Sequence, residues 1–249
     1  ALRGIPTLLM EQNAMPGITN RLLAPVVTAA AVAYQESVRF FGGKALLSGN
    51  PVRPEFFDAG GVQDSDDRKD GVARVLVFGG SQGAHAINVA LVEAAERLAS
   101  GTPRVAITHQ TGERDLEMVR SSYQRAGIEA RVESFLFAMD REMRAADFVV
   151  CRAGATTLAE LAASGTASIL VPLPTATDDH QRRNALALVT RGAARMVEQR
   201  ELSGDRIAAE ILALAGDAAG RRSMGEAARR LARPDAARVI ADKVLALAR

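Results

Sequence analysis

The sequence predicts an α/β protein, a parallel sheet with helices on both faces and a smaller set of elements ahead of it. Two observations carry that expectation. From Val75 onward, short apolar runs alternate with amphipathic stretches, as they do where buried parallel strands are joined by crossover helices. Glycines fall where such helices should stop, at Gly127, Gly165 and Gly192.

Each element follows from its local pattern. Residues 75–78 read as a strand, followed by the turn Gly79-Gly80-Ser81-Gln82-Gly83. The next helix places Ala84, Ile87, Leu91, Ala94 and Leu98 on one stripe. Further strands are expected at residues 104–109, 130–135, 148–151 and 168–171, with a short last one near 193–197. Helices are expected at 113–126, 139–146, after 155, and at 179–191. Residues 205–249 read as helical with a break at Arg233-Pro234. Earlier, residues 8–10 and 45–48 read as strands and residues 18–30 as a helix, too few elements for a core of their own. The Pro/Gly/Asp-rich stretch 51–71 reads as a linker. With no initiator methionine and a strand arriving almost at once, the chain is expected to start inside a domain.

Composition excludes several classes. The 31 basic and 29 acidic residues nearly cancel, which argues against a nucleic-acid binder. A single cysteine, Cys151, rules out an internal disulfide and suits a reducing compartment. No apolar run approaches the ~20 residues of a membrane span, so membrane contact is expected to be peripheral. Aromatic residues are 4% of the chain, and Phe135 and Phe137 stand out for that reason.

Three motifs can carry chemistry, and each has a plainer reading. The Gly79–Ala84 turn joins a strand to a helix, where backbone N–H groups and the helix dipole can hold phosphate, or where glycine only permits tight packing. It has neither the lysine of a nucleotide-triphosphate loop nor the full glycine fingerprint of an NAD site. In the stretch VVCRAGATTLAE, Thr157 and Glu160 have the spacing of a capping box. The same Glu160 stands where a carboxylate can accept ribose hydroxyls, with the N–H groups of Ala155 and Thr156 beside a pyrophosphate. In DDHQRRNA, Asp179 suits a helix N-cap, while Gln181 and Asn184 share a face fit for sugar hydroxyls. A metal site is not expected at Asp178, Asp179 and His180, whose side chains diverge, nor at His85 or His109. The arginine pairs Arg221-Arg222 and Arg229-Arg230 read as a solvated face, with anionic lipid as the alternative.

In order and spacing, EQNAMPGITNRLLA, GNPVR, FGGSQGAHAIN, HQTG, VVCRAGATTLAELAASG and DDHQRRNA resemble the MurG family of bacterial peptidoglycan glycosyltransferases. The resemblance implies a GT-B fold of two Rossmann-like domains. It divides the chain into the end of an acceptor domain (1–50), a linker (51–71), a complete donor domain (72–232) and a C-terminal helix (233–249) placed to cross back. It implies an inverting transfer of GlcNAc from UDP-GlcNAc to lipid I, giving lipid II, at the inner face of the bacterial cell membrane. No metal or other cofactor is implied, since helix dipoles can meet the diphosphate charge. By matching motif, Ser81 contacts the diphosphate beside the backbone of Ala155, Thr156 and Thr157, and Glu160 holds the ribose. Leu136 presents its backbone to uracil, Gln181 meets the GlcNAc hydroxyls, and Asn13 and Arg53 lie at the donor site. Departures are His85 where the family has arginine, and Leu136-Phe137-Ala138 where acidic residues are usual.

The family's GGTGGH loop, tied to catalysis and to the lipid acceptor, has no counterpart here, so roughly a hundred residues are expected to be missing ahead of Ala1. The sequence therefore leaves two readings open: a transferase whose other half comes from upstream sequence or a second chain, or a module that binds UDP-GlcNAc without turning it over. An NAD-dependent enzyme is disfavoured by the absent fingerprint.

Overall fold

A computed structural model describes residues 4–58, 71–80 and 83–248. Its larger part is a six-stranded, all-parallel sheet built from β4 (Val72–Phe78), β5 (Arg104–Gln110), β6 (Glu129–Glu133), β7 (Phe148–Cys151), β8 (Ala167–Leu170) and β9 (Arg195–Met196). The strands lie in the order β6-β5-β4-β7-β8-β9, so the chain winds outward from β4 in one direction and then reverses at β7. That reversal opens a crevice between the carboxyl ends of β4 and β7, the place where sheets of this kind bind ligands.

Period-two alternation sorts the strand residues between two cores. Val75 and Val77 join Ile107, Val150 and Ile169 on one face, covered by α3 (His85–Ala99), α4 (Leu116–Ala126) and α8 (Gly204–Ala215). Leu76 and Phe78 join Val149, Cys151 and Leu170 on the other, covered by α5 (Met139–Ala145), α6 (Ala155–Ser164) and α7 (His180–Val189). Gly127 and Gly165 end α4 and α6 in the left-handed conformation, as their positions predict.

Ahead of this sheet lies a second, three-stranded parallel one, β1 (Leu8–Glu11), β2 (Ala29–Val32) and β3 (Ala45–Leu47), with β2 central. Its helices, α1 (Ile18–Leu23) and α2 (Gln35–Val38), are short. The expected helix over 18–30 is thus corrected: α1 stops before Pro25, and Ala29–Val32 is a fully buried strand. Leu9, Val27, Ala30, Val32 and Phe41 form a small core of their own, although too few elements were expected here for one.

The C-terminal region also differs from a helix with one break. Gly216 closes α8, and Asp217 caps α9 (Ala218–Arg229) by accepting the Gly220 N–H at 2.8 Å. After Pro234 comes α10 (Ala236–Leu247). Much of the 51–71 stretch and Ser81 lie outside the described residues.

Candidate nucleotide-sugar site

Two helix N-termini meet over the crevice. On the β7 side, α6 starts at Ala155 with Gly154 as its N-cap, and no side chain caps it. Within the helix the first intrahelical acceptor is Gly154 O, taken by Leu158 N at 3.0 Å, so the N–H groups of Ala155, Thr156 and Thr157 point outward unsatisfied. On the β4 side, α3 begins at His85 after a tight turn, again without a side-chain cap. The turn depends on glycine at two points: a Cβ on Gly79 would overlap Ala84, and one on Gly83 would overlap the Thr111 carbonyl, with Gly83 at φ +73°. Two such termini, neither capped by a side chain among the described residues, give this edge of the sheet backbone donors of the kind that can meet an anion.

The capping-box reading of Thr157 and Glu160 is overturned. Because α6 begins two residues before Thr157, that threonine sits inside the first turn and is not the N-cap. Glu160 lies one turn further on, half-buried, with no hydrogen bond or ion pair among the described residues. Burial pushes its carboxyl up to about 6, and the charge of Arg53 offsets part of that effect. A partly desolvated carboxylate without a partner is costly unless something supplies donors. Two vicinal sugar hydroxyls are such donors.

Gln181 lies in the first turn of α7, and its side-chain oxygen accepts from Ala153 N at 3.2 Å and Leu173 N at 3.0 Å. Its amide nitrogen makes no hydrogen bond among the described residues and remains available to a ligand. Asn184 does not share that role. It is fully buried, accepting from Ala14 N at 2.8 Å and donating to Asn13 Oδ1 at 3.0 Å and Ala153 O at 3.4 Å. The expected sugar-facing pair is therefore one glutamine and one structural asparagine that ties α7 to the loop after β1.

Asn13 is engaged at both ends, since its amide donates to Glu11 Oε1 at 3.1 Å while its oxygen meets Asn184. Any contribution of Asn13 to a ligand site is through that loop. Asp179 does not cap α7 by its side chain, and Asp178 and Asp179 both adopt left-handed backbone at φ 54° and 55°. Such strain in non-glycine residues costs about 1 kcal/mol or more each and collects at functional loops. Asp178 pairs with Arg21 of α1 at 2.7 Å, tying the start of α7 to the elements of the smaller sheet.

Leu136 is buried, and its N–H donates to Gln110 Oε1 at 2.9 Å. The same Gln110 donates from Nε2 to Gly80 O at 2.9 Å, bracing the β4 turn against the loop after β6. Reasoning from sequence missed Gln110, although it lies within HQTG. Below the turn runs a polar chain: His85 Nδ1 to Asp115 at 2.9 Å, Asp115 to Asn88 at 2.8 Å, Asn88 to His109 at 3.0 Å, and His109 to Tyr123 at 2.9 Å. Burial would raise the Asp115 carboxyl, but hydrogen bonds from Asn88 and His85 hold it below the usual range. Burial depresses His109 to about 3, so that ring is a neutral linker. Arg53 is exposed and stacks over Phe56 at 5.1 Å, close enough to Glu160 to feel its charge.

A parallel sheet of this strand order, with two helix N-termini at its switch point that no side chain caps among the described residues, defines an α/β domain of the Rossmann type. Residues 74–240 match the glycosyltransferase family 28 C-terminal domain. A transferase of Pelobacter propionicus, named UDP-N-acetylglucosamine--N-acetylmuramyl-(pentapeptide) pyrophosphoryl-undecaprenol N-acetylglucosamine transferase, is 48% identical over 98% of this chain and 69% of its own length. The Geobacter sulfurreducens protein of the same name is 46% identical over 100% of this chain and 69% of its own. Among solved structures, Acinetobacter baumannii MurG superposes with a TM-score of 0.82 at 31% identity, covering 98% of this chain and 68% of that one. The UDP co-structure of S. aureus MnaA, 11% identical with a TM-score of 0.66, shares the fold. The chain belongs to the MurG family of glycosyltransferases.

Proposed function

We propose that this chain carries the donor site of a glycosyltransferase that moves GlcNAc from UDP-GlcNAc to lipid I, forming lipid II for peptidoglycan. One observation carries the donor reading: Glu160 is a half-buried carboxylate with no hydrogen bond or ion pair among the described residues, on the same helix whose first N–H groups have no intrahelical acceptor. In this reading Glu160 accepts the ribose hydroxyls, and the Leu136 carbonyl accepts from the uracil ring. The diphosphate lies between the turn after β4, which includes Ser81, and the backbone of Ala155, Thr156 and Thr157. The Gln181 amide donates to the GlcNAc hydroxyls, while Arg53 adds positive charge and Asn13 shapes the facing loop.

Catalysis by these residues is mainly electrostatic. As the bond from the sugar to UDP lengthens, negative charge grows on the diphosphate. Fixed N–H dipoles aimed at that charge stabilise the transition state more than the ground state. The acceptor and the removal of its hydroxyl proton fall, in this proposal, to the part of the family's length that this chain does not span. Membrane contact is proposed to be peripheral at the cytoplasmic face. Support comes from the exposed apolar Ile18, Leu22, Leu23 and Val26 beside Arg21, and from the absence among the described residues of any helix long and apolar enough to cross a membrane.

The test is transfer of labelled GlcNAc to lipid I by this chain and by a chain of full family length. Transfer by either supports the reading. Binding of UDP-GlcNAc without transfer by either marks a donor-binding module, and failure of both to bind UDP-GlcNAc rejects the proposal.

A further inference from the structure

One side chain at the end of β5 holds together two loops that come from different strands. Gln110, the last residue of β5, is 2% exposed and reaches in both directions. Its Oε1 accepts from Leu136 N at 2.9 Å, in the loop after β6, and its Nε2 donates to Gly80 O at 2.9 Å, in the turn after β4. Gly80 O also accepts from Gly83 N at 2.9 Å, so the carbonyl that Gln110 holds is the one that closes the turn. A carboxamide supplies one acceptor and one donor type from a single planar group, which is what a bridge between an N–H and a carbonyl requires. Among the described residues, no other side chain hydrogen-bonds to both loops.

The bridge is separable from the strand pairing beside it. Thr111 N donates to Glu133 O at 3.0 Å and Gly112 N donates to Ser134 O at 3.2 Å, so backbone bonds carry the chain after β6 as far as Ser134 without Gln110. Past Ser134 the Leu136 side chain is buried, while Phe135 and Phe137 on either side of it are 44% and 89% exposed, with ring centroids 4.9 Å apart. The Leu136 backbone between those rings makes one hydrogen bond among the described residues, the one to Gln110. Loss of that bond frees the loop from residue 135 onward and leaves β5 and β6 paired.

We propose that Gln110 is a positioning residue that sets nucleobase selection, by holding the backbone of the loop after β6 in fixed register with the turn after β4. The inference rests on the donor reading, in which uracil lies at Leu136 and the diphosphate at that turn. Uracil and cytosine have nearly the same shape and differ at the ring edge, where the acceptor at position 4 of uracil becomes a donor in cytosine. A protein group tells the two apart only when it is held within about 0.5 Å of its place, so that the wrong base leaves it unpaired. Stacking on the Phe135 or Phe137 ring is open to any base, so selection falls to the hydrogen-bonding edge that Gln110 fixes.

Calorimetric titrations of UDP, CDP and pyrophosphate into the full chain test the proposal. UDP should bind at least about tenfold more tightly than CDP in the unmodified chain, as one hydrogen bond or more of discrimination requires. Gln110→Met, similar in volume but without donor or acceptor, should reduce that ratio to about threefold or less. Gln110→Glu keeps an acceptor for Leu136 N but sets an oxygen against Gly80 O, so it should keep the ratio and weaken all three ligands alike. Val119→Ala, a core change in α4, should lower the melting temperature and leave the ratio unmoved, which separates selection from stability. A ratio unchanged in Gln110→Met, a ratio lost in Gln110→Glu or Val119→Ala, or equal binding of UDP and CDP by the unmodified chain would each overturn the proposal. Should Gln110→Met fail to fold, Gln110→Glu decides, because a kept ratio with weakened pyrophosphate supports the proposal and a lost ratio overturns it. An unmodified chain that binds no UDP rejects the donor reading and this inference with it, whereas a preference for UDP that survives Gln110→Met rejects only the role of Gln110.

Discussion

Replacing Glu160 separates a ligand-binding carboxylate from a structural one. In the ligand-free fold, the Glu160 carboxyl keeps its proton up to about pH 6, against 4.5 for an ordinary glutamate. Between those values the folded chain binds more protons than the unfolded chain, so stability falls as pH rises through that window and stays lower above it. After discounting for partial exposure, the penalty at neutral pH is about 1 kcal/mol. Glu160→Gln removes this penalty, and the melting temperature at pH 8 should rise by about 2 °C. UDP-GlcNAc binding should move the other way. Two hydroxyl-to-carboxylate hydrogen bonds, at about 1.5 kcal/mol or more each, amount to about 3 kcal/mol, or roughly a hundredfold in Kd for Glu160→Ala. In the unmodified chain, affinity should also fall as pH drops below about 6, because the protonated carboxyl is a poorer acceptor. Calorimetric titration and thermal melts across that range read out both effects. An unchanged Kd together with a melting temperature lowered by several degrees would refute the reasoning, since it would make Glu160 a structural group.

Other expectations follow from the same geometry. Gln181→Glu keeps the oxygen that holds Ala153 and Leu173 but loses the amide donor. It should weaken UDP-GlcNAc by about fivefold and leave UDP almost unchanged in parallel titrations; an equal loss for both ligands would reject the sugar-facing role. Asn184→Ala leaves Ala14 N and its other partners unsatisfied and should cost about 2–3 kcal/mol in denaturant unfolding. Gly83→Ala forces a Cβ onto the Thr111 carbonyl at positive φ and should both lower stability by about 2 kcal/mol and abolish UDP binding. His109, neutral in the fold down to about pH 3 but protonated below 6.5 when unfolded, contributes stability that is lost as pH falls below 6.5. A melt series from pH 7 to about 4 should show a shallower acid slope in His109→Gln.

The large sheet was legible because its central strands are apolar runs and most of its crossover helices carry their own stripe and stop signal. Val75 to Phe78 and Leu158 with Leu161 needed no tertiary information to be placed. Helix starts were harder. Thr157 and Glu160 have the spacing of a capping box, yet the chain turns helical at Ala155, because Gly154 takes the N-cap conformation without contributing a side chain. Ala29 to Val32 read as helix because alanine favours it, but burial on both faces of a central strand overrode that preference. The second break in the C-terminal helices was signalled by Gly216-Asp217, a stop followed by an N-cap, and was passed over within an alanine-rich run.

Ligand-facing residues were legible to the extent that they act alone. Gln181 could be proposed from its motif. Gln110 and Asn184 could not, because their roles depend on partners 26 and 170 residues away. Asn13 illustrates the same limit in reverse: its position by the crevice was expected, but its side chain is satisfied by Glu11 and Asn184.

The crevice between β4 and β7 is proposed as a UDP-GlcNAc site. Calorimetric titration of the chain with UDP-GlcNAc, UDP and NAD tests it most directly. One saturable site for UDP-GlcNAc, competition from UDP at that site and no heat from NAD are expected. Absence of UDP-GlcNAc binding, or NAD binding of equal strength, would contradict it.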